Sequence, residues 1–150
     1  MPIRPDLRGL YPPDWPEISR RIRFGRAGGR CEACGRPHGK VVCALPDGRW
    51  VETGGSGWRS AAGIPAPDPT GCELLLVRFV AVVLTTAHLD HDPAHNADEN
   101  LAAWCSRCHI LFDAPHHRAQ RRLTHRAGLA VGDLFDGTYG LLDYPRNARL

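Results

Sequence analysis

Three stretches of the 150-residue chain show ordered spacing of apolar and polar positions. In the first, Trp15, Ile18 and Ile22 recur at three- and four-residue intervals, while Arg20, Arg21, Arg23 and Arg26 fall mostly on the other side. That period predicts an amphipathic helix. It should start at Asp14, because Asp14 and Glu17 stand at capping-box spacing and Pro16 is tolerated in a first turn. Gly28-Gly29 should end it. In the second, Val41-Val42-Cys43-Ala44 and Arg49-Trp50-Val51-Glu52 flank Pro46-Asp47-Gly48 and read as a β-hairpin. In the third, the run from Leu74 to Thr86 is rich in Leu, Val, Phe and Thr and predicts one or two strands ending at Ala87-His88. A short strand should follow over Asn100 to Trp104, then a helix from about Ser106 to Asp113. Pro115 should break that helix or open a second, basic one ending near Gly128.

The remaining segments lack periodicity. Residues 53–71 are rich in Gly, Ser and Pro and predict a flexible insertion. The organisation expected is an N-terminal arm with a basic helix over 1–30, one folded domain over 31–127 and a tail over 128–150. Gly 16 and Pro 13 together argue against a long helical bundle. The longest apolar run, Leu74 to Leu84, is interrupted by Arg78 and is shorter than the roughly 20 residues a membrane span needs. No secretory signal opens the chain, so a soluble, cytoplasmic protein is expected.

Charge is uneven. Residues 1–40 hold nine basic side chains against four acidic, residues 41–114 hold four against nine, and residues 115–126 hold four arginines and no acid. Basic flanks around an acidic middle suit a metal site that faces a polyanion. Solvated helix faces would give the same pattern.

Six cysteines in a chain without a secretory signal point to metal or chemistry before disulfides. Cys31-x-x-Cys34 and Cys105-x-x-Cys108 each let two sulfurs reach one ion from a tight turn. Two such knuckles complete a tetrahedral shell of thiolates, which suits structural Zn²⁺. Their long separation is natural if the ion staples an N-terminal segment onto a later core. Cys43 and Cys72 have no such partner and read as ordinary thiols.

Between the knuckles lie Ala87-His88-Leu89-Asp90-His91-Asp92-Pro93, Glu99-Asn100-Leu101 and the closing Cys105-Ser106-Arg107-Cys108-His109. The order His, Asn, His, with the last His abutting the second Cys pair, resembles the HNH nucleases, in particular the subgroup with two CxxC knuckles. The resemblance covers about a third to a half of the chain, chiefly residues 31–34 and 84–117. It implies an α+β fold: a small ββα-metal core stapled by the four-cysteine zinc site, flanked by N- and C-terminal helices. By position, His88 matches the general base, Asn100 the central Asn that braces the loop, and His109 a ligand of the catalytic divalent ion (Mg²⁺, Mn²⁺, Ni²⁺ or Zn²⁺). The family places Asp or His just before the base, and here that position is Ala87. Asp90, His91 and Asp92 are nearby substitutes, and Asp113, at i+4 from His109, faces the same side of its helix. An offset register makes Asp90 and His91 the ligand–base pair, with nine positions to Asn100.

The chemistry these residues suit is phosphodiester hydrolysis. Neutral imidazole activates water near pH 7, and one divalent cation stabilises both the scissile phosphate and the departing oxygen. Arg20, Arg23, Arg26, Arg118, Arg121 and Arg122 are candidate contacts to a DNA backbone. The expectation is therefore an HNH endonuclease that leaves 5′-phosphate and 3′-hydroxyl ends, as in phage and bacterial members of that family. The alternative is a non-catalytic zinc module that binds DNA or packaging machinery, for which Ala87 is the best argument. His38, His95 and His125 read as surface residues, and Trp104 as core.

Overall fold

A computed structural model describes residues 9–129; the first residues of the expected arm and the tail from 130 onward lie outside them. The fold is α+β, with small antiparallel sheets. Helix α1 (Trp15–Arg20) runs directly into a π-helical segment, Arg21–Arg26. Strands β1 (Val41–Ala44) and β2 (Trp50–Glu52) form the expected hairpin. A four-residue helix, α2 (Gly71–Leu74), precedes β3 (Arg78–Ala81). Strand β4 (Leu84–His88), a 3-10 turn (Asp98–Asn100) and β5 (Leu101–Cys105) lead into α3 (Ser106–Leu129). One sheet has the order β2-β1-β3; the other is the β4–β5 pair. The chain divides into two compact units, one ending at Asp113 and the other beginning at Ala114.

The apolar run after residue 74 is thus two strands that serve different sheets. β3 pairs with β1, and β4 pairs with β5 in the register Leu84↔Cys105, Thr85↔Trp104, Thr86↔Ala103, Ala87↔Ala102, His88↔Leu101. Side chains alternate across a strand, so partners in this register share a face. Leu84, Thr86, His88, Leu101, Ala103 and Cys105 take one face; Thr85, Ala87, Ala102 and Trp104 take the other.

The first face packs on α1 and its π-helical extension. Ile22, Leu101 and Ala103 are fully or almost fully buried there, with Trp15, Ile18 and Ala27 around them. Covering Ile22 stabilises the unit by roughly 2 kcal/mol. A second core joins Val42, Trp50, Val82 and Leu84 to three of the knuckle cysteines.

Three local expectations change. Asp14 makes no side-chain cap; the Glu17 amide it would cap donates to the Asp14 backbone carbonyl instead, at 2.9 Å. The insertion over 53–71 is tied by backbone pairing: Trp50 and Arg59 exchange both hydrogen bonds at 2.8 Å, and the Ala66 amide donates to the Trp58 carbonyl. Gly63, at φ +83°, packs on the Cys34 backbone, where a side chain would collide. Glycine content there serves close approach as well as turning. Finally, Pro115 neither breaks α3 nor starts a new helix; it sits inside the continuous helical stretch, where it removes one hydrogen bond. Among the described residues no helix is long and apolar enough to cross a membrane.

Candidate metal centre and imidazole–carboxylate site

The four sulfurs of Cys31, Cys34, Cys105 and Cys108 lie within 4.8 Å of one another, and among the described residues no other His, Cys, Asp or Glu group converges as tightly. Cys31, Cys34 and Cys105 are 1–3% exposed. The first knuckle is a tight turn: the Gly35 amide donates to the Cys31 carbonyl, and Gly35 has φ +74°. The second knuckle spans the junction of β5 and α3. The Cys105 amide donates to the Cys31 sulfur at 3.2 Å, which supports a thiolate there. Hydrogen bonding from Cys108, then from Cys31 and Cys34, pulls the Cys105 thiol far below its ordinary range. Contact with Cys105 pushes Cys34 and Cys108 up. Four sulfurs crowded in one cage cannot all ionise alone; a divalent cation removes that conflict. The cluster is built to hold a metal ion such as zinc. Cys43 and Cys72 stand apart from it, half-buried and exposed respectively.

Side-chain bonds dock the first knuckle on β5. The Glu32 amide donates to the Ala103 carbonyl at 2.9 Å, and the Ala103 amide returns a bond to the Glu32 carboxylate at 2.6 Å. Arg26 grips the same carboxylate through Nε and a terminal nitrogen, both at 2.9 Å, and also donates to the Leu101 and Asp98 carbonyls. Burial works to raise the Glu32 pKa, but the Arg26 guanidinium and the Ala103 amide outweigh it and hold the carboxyl below 4.5.

On the other hairpin face, the start of α3 brings a second cluster together. The Thr85 hydroxyl donates to the Trp104 carbonyl at 3.3 Å and lies 2.8 Å from His109 Nδ1. His109 Nε2 is 3.2 Å from one Asp113 oxygen, and His91 Nδ1 is 3.4 Å from the other. His91 stacks on Phe112 at 5.0 Å between ring centroids and holds a left-handed backbone, φ +62°. That conformation is uncommon for a residue with a side chain and is kept only where the surroundings enforce it.

Asn100 braces the loop on either side of His91. It is buried, accepts the Asp90 amide, and donates to the Asp90 carboxylate and the His95 carbonyl, both at 2.8 Å. Asp90 also accepts from the Asp92 amide and pairs with His95 at 2.7 Å. The Asn100 side-chain bond, then the Asp92 amide and His95, hold the Asp90 carboxyl far below its ordinary range.

The remaining expected site residues are placed differently. His88 lies on the α1-facing side, stacked on Trp15 at 5.1 Å with Nε2 3.0 Å from the Asn96 oxygen. Strand alternation puts it on the opposite face from Thr85 and its partner His109. Asp90 is committed to the loop brace rather than to His109. Ala87 is buried on the face of Thr85. Arg23 donates to the Ser19 and Leu84 carbonyls, and Arg26 belongs to the Glu32 clamp, so both serve the fold. Arg20 is exposed. Arg118, Arg121 and Arg122 are exposed on the second unit's helix, where Arg118 bonds the Ala114 carbonyl. His38, expected at the surface, is half-buried and accepts the Leu84 amide at 3.0 Å. Thr85 is the site residue that the sequence patterns do not single out; its only signal is its parity with Ala87 in a strand pointing at the metal helix.

No family model matches the chain, and no curated protein or solved structure matches it significantly.

Proposed function

We infer that the protein is a metal-dependent endonuclease of the HNH type that hydrolyses DNA phosphodiester bonds, with His91 rather than His88 as general base. The observation that carries this is the Asp113 carboxylate set between the His91 and His109 rings. The offset register places His91 nine positions before Asn100, and Asp113 rather than Asp90 supplies the carboxylate beside it.

The residues present fit a hard or borderline cation. In the tautomer with Nδ1–H, His109 donates to the Thr85 oxygen, whose hydroxyl donates on to the Trp104 carbonyl. The Nε2 lone pair then faces a carboxylate, an arrangement that needs a proton or a cation between them. Imidazole and carboxylate donors suit Mg²⁺, Mn²⁺, Ni²⁺ or Zn²⁺. Such an ion would supply charge stabilisation for the phosphate and the departing oxygen. Asp113 orients His91 through Nδ1, so Nε2 takes the proton from the attacking water. Asn100 fixes the loop that presents His91, and Phe112 fixes the ring plane. The exposed arginines Arg20, Arg118, Arg121 and Arg122 provide backbone contacts without base choice.

A non-catalytic zinc module that binds DNA is the second reading. It is favoured by one fact: both ring nitrogens of His109 already have protein neighbours, as in a structural histidine.

A plasmid-nicking assay separates the two. Wild type should nick only with an added divalent cation, stop on brief chelation, and lose activity at least about a hundredfold in His91→Ala, with the fold intact by circular dichroism. Absence of cleavage with every cation supports the binding module. Cleavage that survives in His91→Ala and vanishes in His88→Ala returns the base to His88.

A further inference from the structure

Beside the second knuckle, a pocket of about 460 Å³ opens at the β1–β2 turn. Its walls include Arg36, Arg78 and Arg107 over an apolar floor of Leu45, Pro46 and Val80, and among the described residues no acidic side chain lines it. Arg36 is only 4% exposed. Among the described residues no carboxylate pairs with it. One terminal nitrogen donates to the Gly48 carbonyl at 3.2 Å, the guanidinium lies 5.5 Å from the Trp50 ring centre, and Nε has no acceptor. A buried cation so incompletely answered is costly. The Arg107 guanidinium lies against Gly48, at φ +95°, so closely that a side chain there would overlap it. Two guanidiniums therefore meet at one turn, with Arg78 on the neighbouring strand β3. Asp47, on the same turn, accepts from the Arg49 backbone and side chain at 2.8 and 2.6 Å and also faces the Arg107 charge.

We propose that this pocket binds a tetrahedral phosphate group. Guanidinium forks match phosphate oxygens, and such bonds are the stronger, charge-assisted kind. The apolar floor suits the carbon skeleton of a sugar attached to the phosphate. The group comes either from a nucleic-acid backbone or from free phosphate. The site does not depend on the hydrolytic reading, since it shares no residue with the His91–Asp113–His109 cluster.

The test uses zinc-loaded, full-length protein without other divalent cations, and follows the Arg36 Nε–H signal by nitrogen-15 NMR. Inorganic phosphate and a short single-stranded oligonucleotide are titrated separately. The signal should shift saturably. Response to phosphate alone assigns free phosphate as the ligand; response to the oligonucleotide assigns the backbone. Arg78→Ala, an exposed change that spares the fold, should weaken binding roughly fivefold. An unmoved Arg36 signal with both probes, an equal shift with chloride at matched ionic strength, or unchanged affinity in Arg78→Ala would each overturn the proposal.

Discussion

On the α1-facing side of the β4–β5 hairpin, His88 stacks on Trp15 and binds Asn96. On the opposite side, His109 is fixed by Thr85 and shares Asp113 with His91. His88 and His91 are three positions apart, yet they have different surroundings. One is wedged among aromatic rings beside an amide; the other sits against a carboxylate that also meets a second imidazole. What separates them is where the strand stops. β4 keeps its alternation through His88, and the turn at Leu89–Asp90, finished by the left-handed backbone of His91, redirects the next side chain. Histidine chemistry is thus assigned here by strand parity and turn geometry.

The comparison can be broken most completely at the knuckle that both faces share. Cys105→Ser should release the bound metal and unfold the first unit, because metal-binding energy in such sites is folding energy. Elemental analysis and thermal melts check this; full zinc occupancy in the variant would refute the four-thiolate assignment. The next largest effect tests the two faces directly. His91→Ala should cost catalysis at least about a hundredfold. His88→Ala should change cleavage little but lower stability by about 1–2 kcal/mol through lost aromatic packing. Equal losses of cleavage would erase the distinction between the faces.

Smaller effects sharpen it. Thr85→Val should leave the fold in place and reduce cation affinity by about tenfold, the usual size for losing an orienting partner of a ligand histidine; calorimetric titration with Mn²⁺ measures it. The mildest effect concerns the clamp on the α1-facing side. The Glu32 carboxyl is held below 4.5, so its contribution is complete above that value and fades as pH falls through the lowered one. The stability gap between wild type and Glu32→Gln should therefore be constant near neutrality and close in acid. A gap that instead widens below pH 4.5 would contradict the Arg26–Glu32 account.

Much of this was legible in the residues alone. The CxxC pairs announced the sulfur cluster because a two-residue spacer limits what two thiols can do. The hairpin over Val41–Glu52 followed from β-branched residues around Pro46-Asp47-Gly48. The i+4 spacing of His109 and Asp113 placed both on one side of α3. What could not be read was long-range. Nothing local distinguishes Arg26, locked on Glu32 and two carbonyls, from Arg20, which faces solvent. Nor does the Gly- and Pro-rich segment after Thr53 reveal that Arg59 pairs with Trp50, because that order comes from a partner strand and from the knuckle against Gly63. Spacing alone also does not say which side of a sheet a histidine takes: His88 stacks on Trp15, whereas His109 meets Thr85 on the opposite face.

The sulfur cage also closes a ring of chain, since Cys34 and Cys105 are 71 positions apart. A clip at the mouth of so large a loop makes its circumference almost irrelevant, because doubling the enclosed length costs only about 0.6 kcal/mol in closure entropy. Length within that ring is therefore cheap to change at turns that make no long-range contact, such as Gly54-Gly55, but not at Arg59 or Gly63, which are held by Trp50 and the Cys34 backbone. With a metal in the cage, its loss would leave the Glu32–Ala103 bonds and the Arg26 clamp to hold the ends of the ring alone.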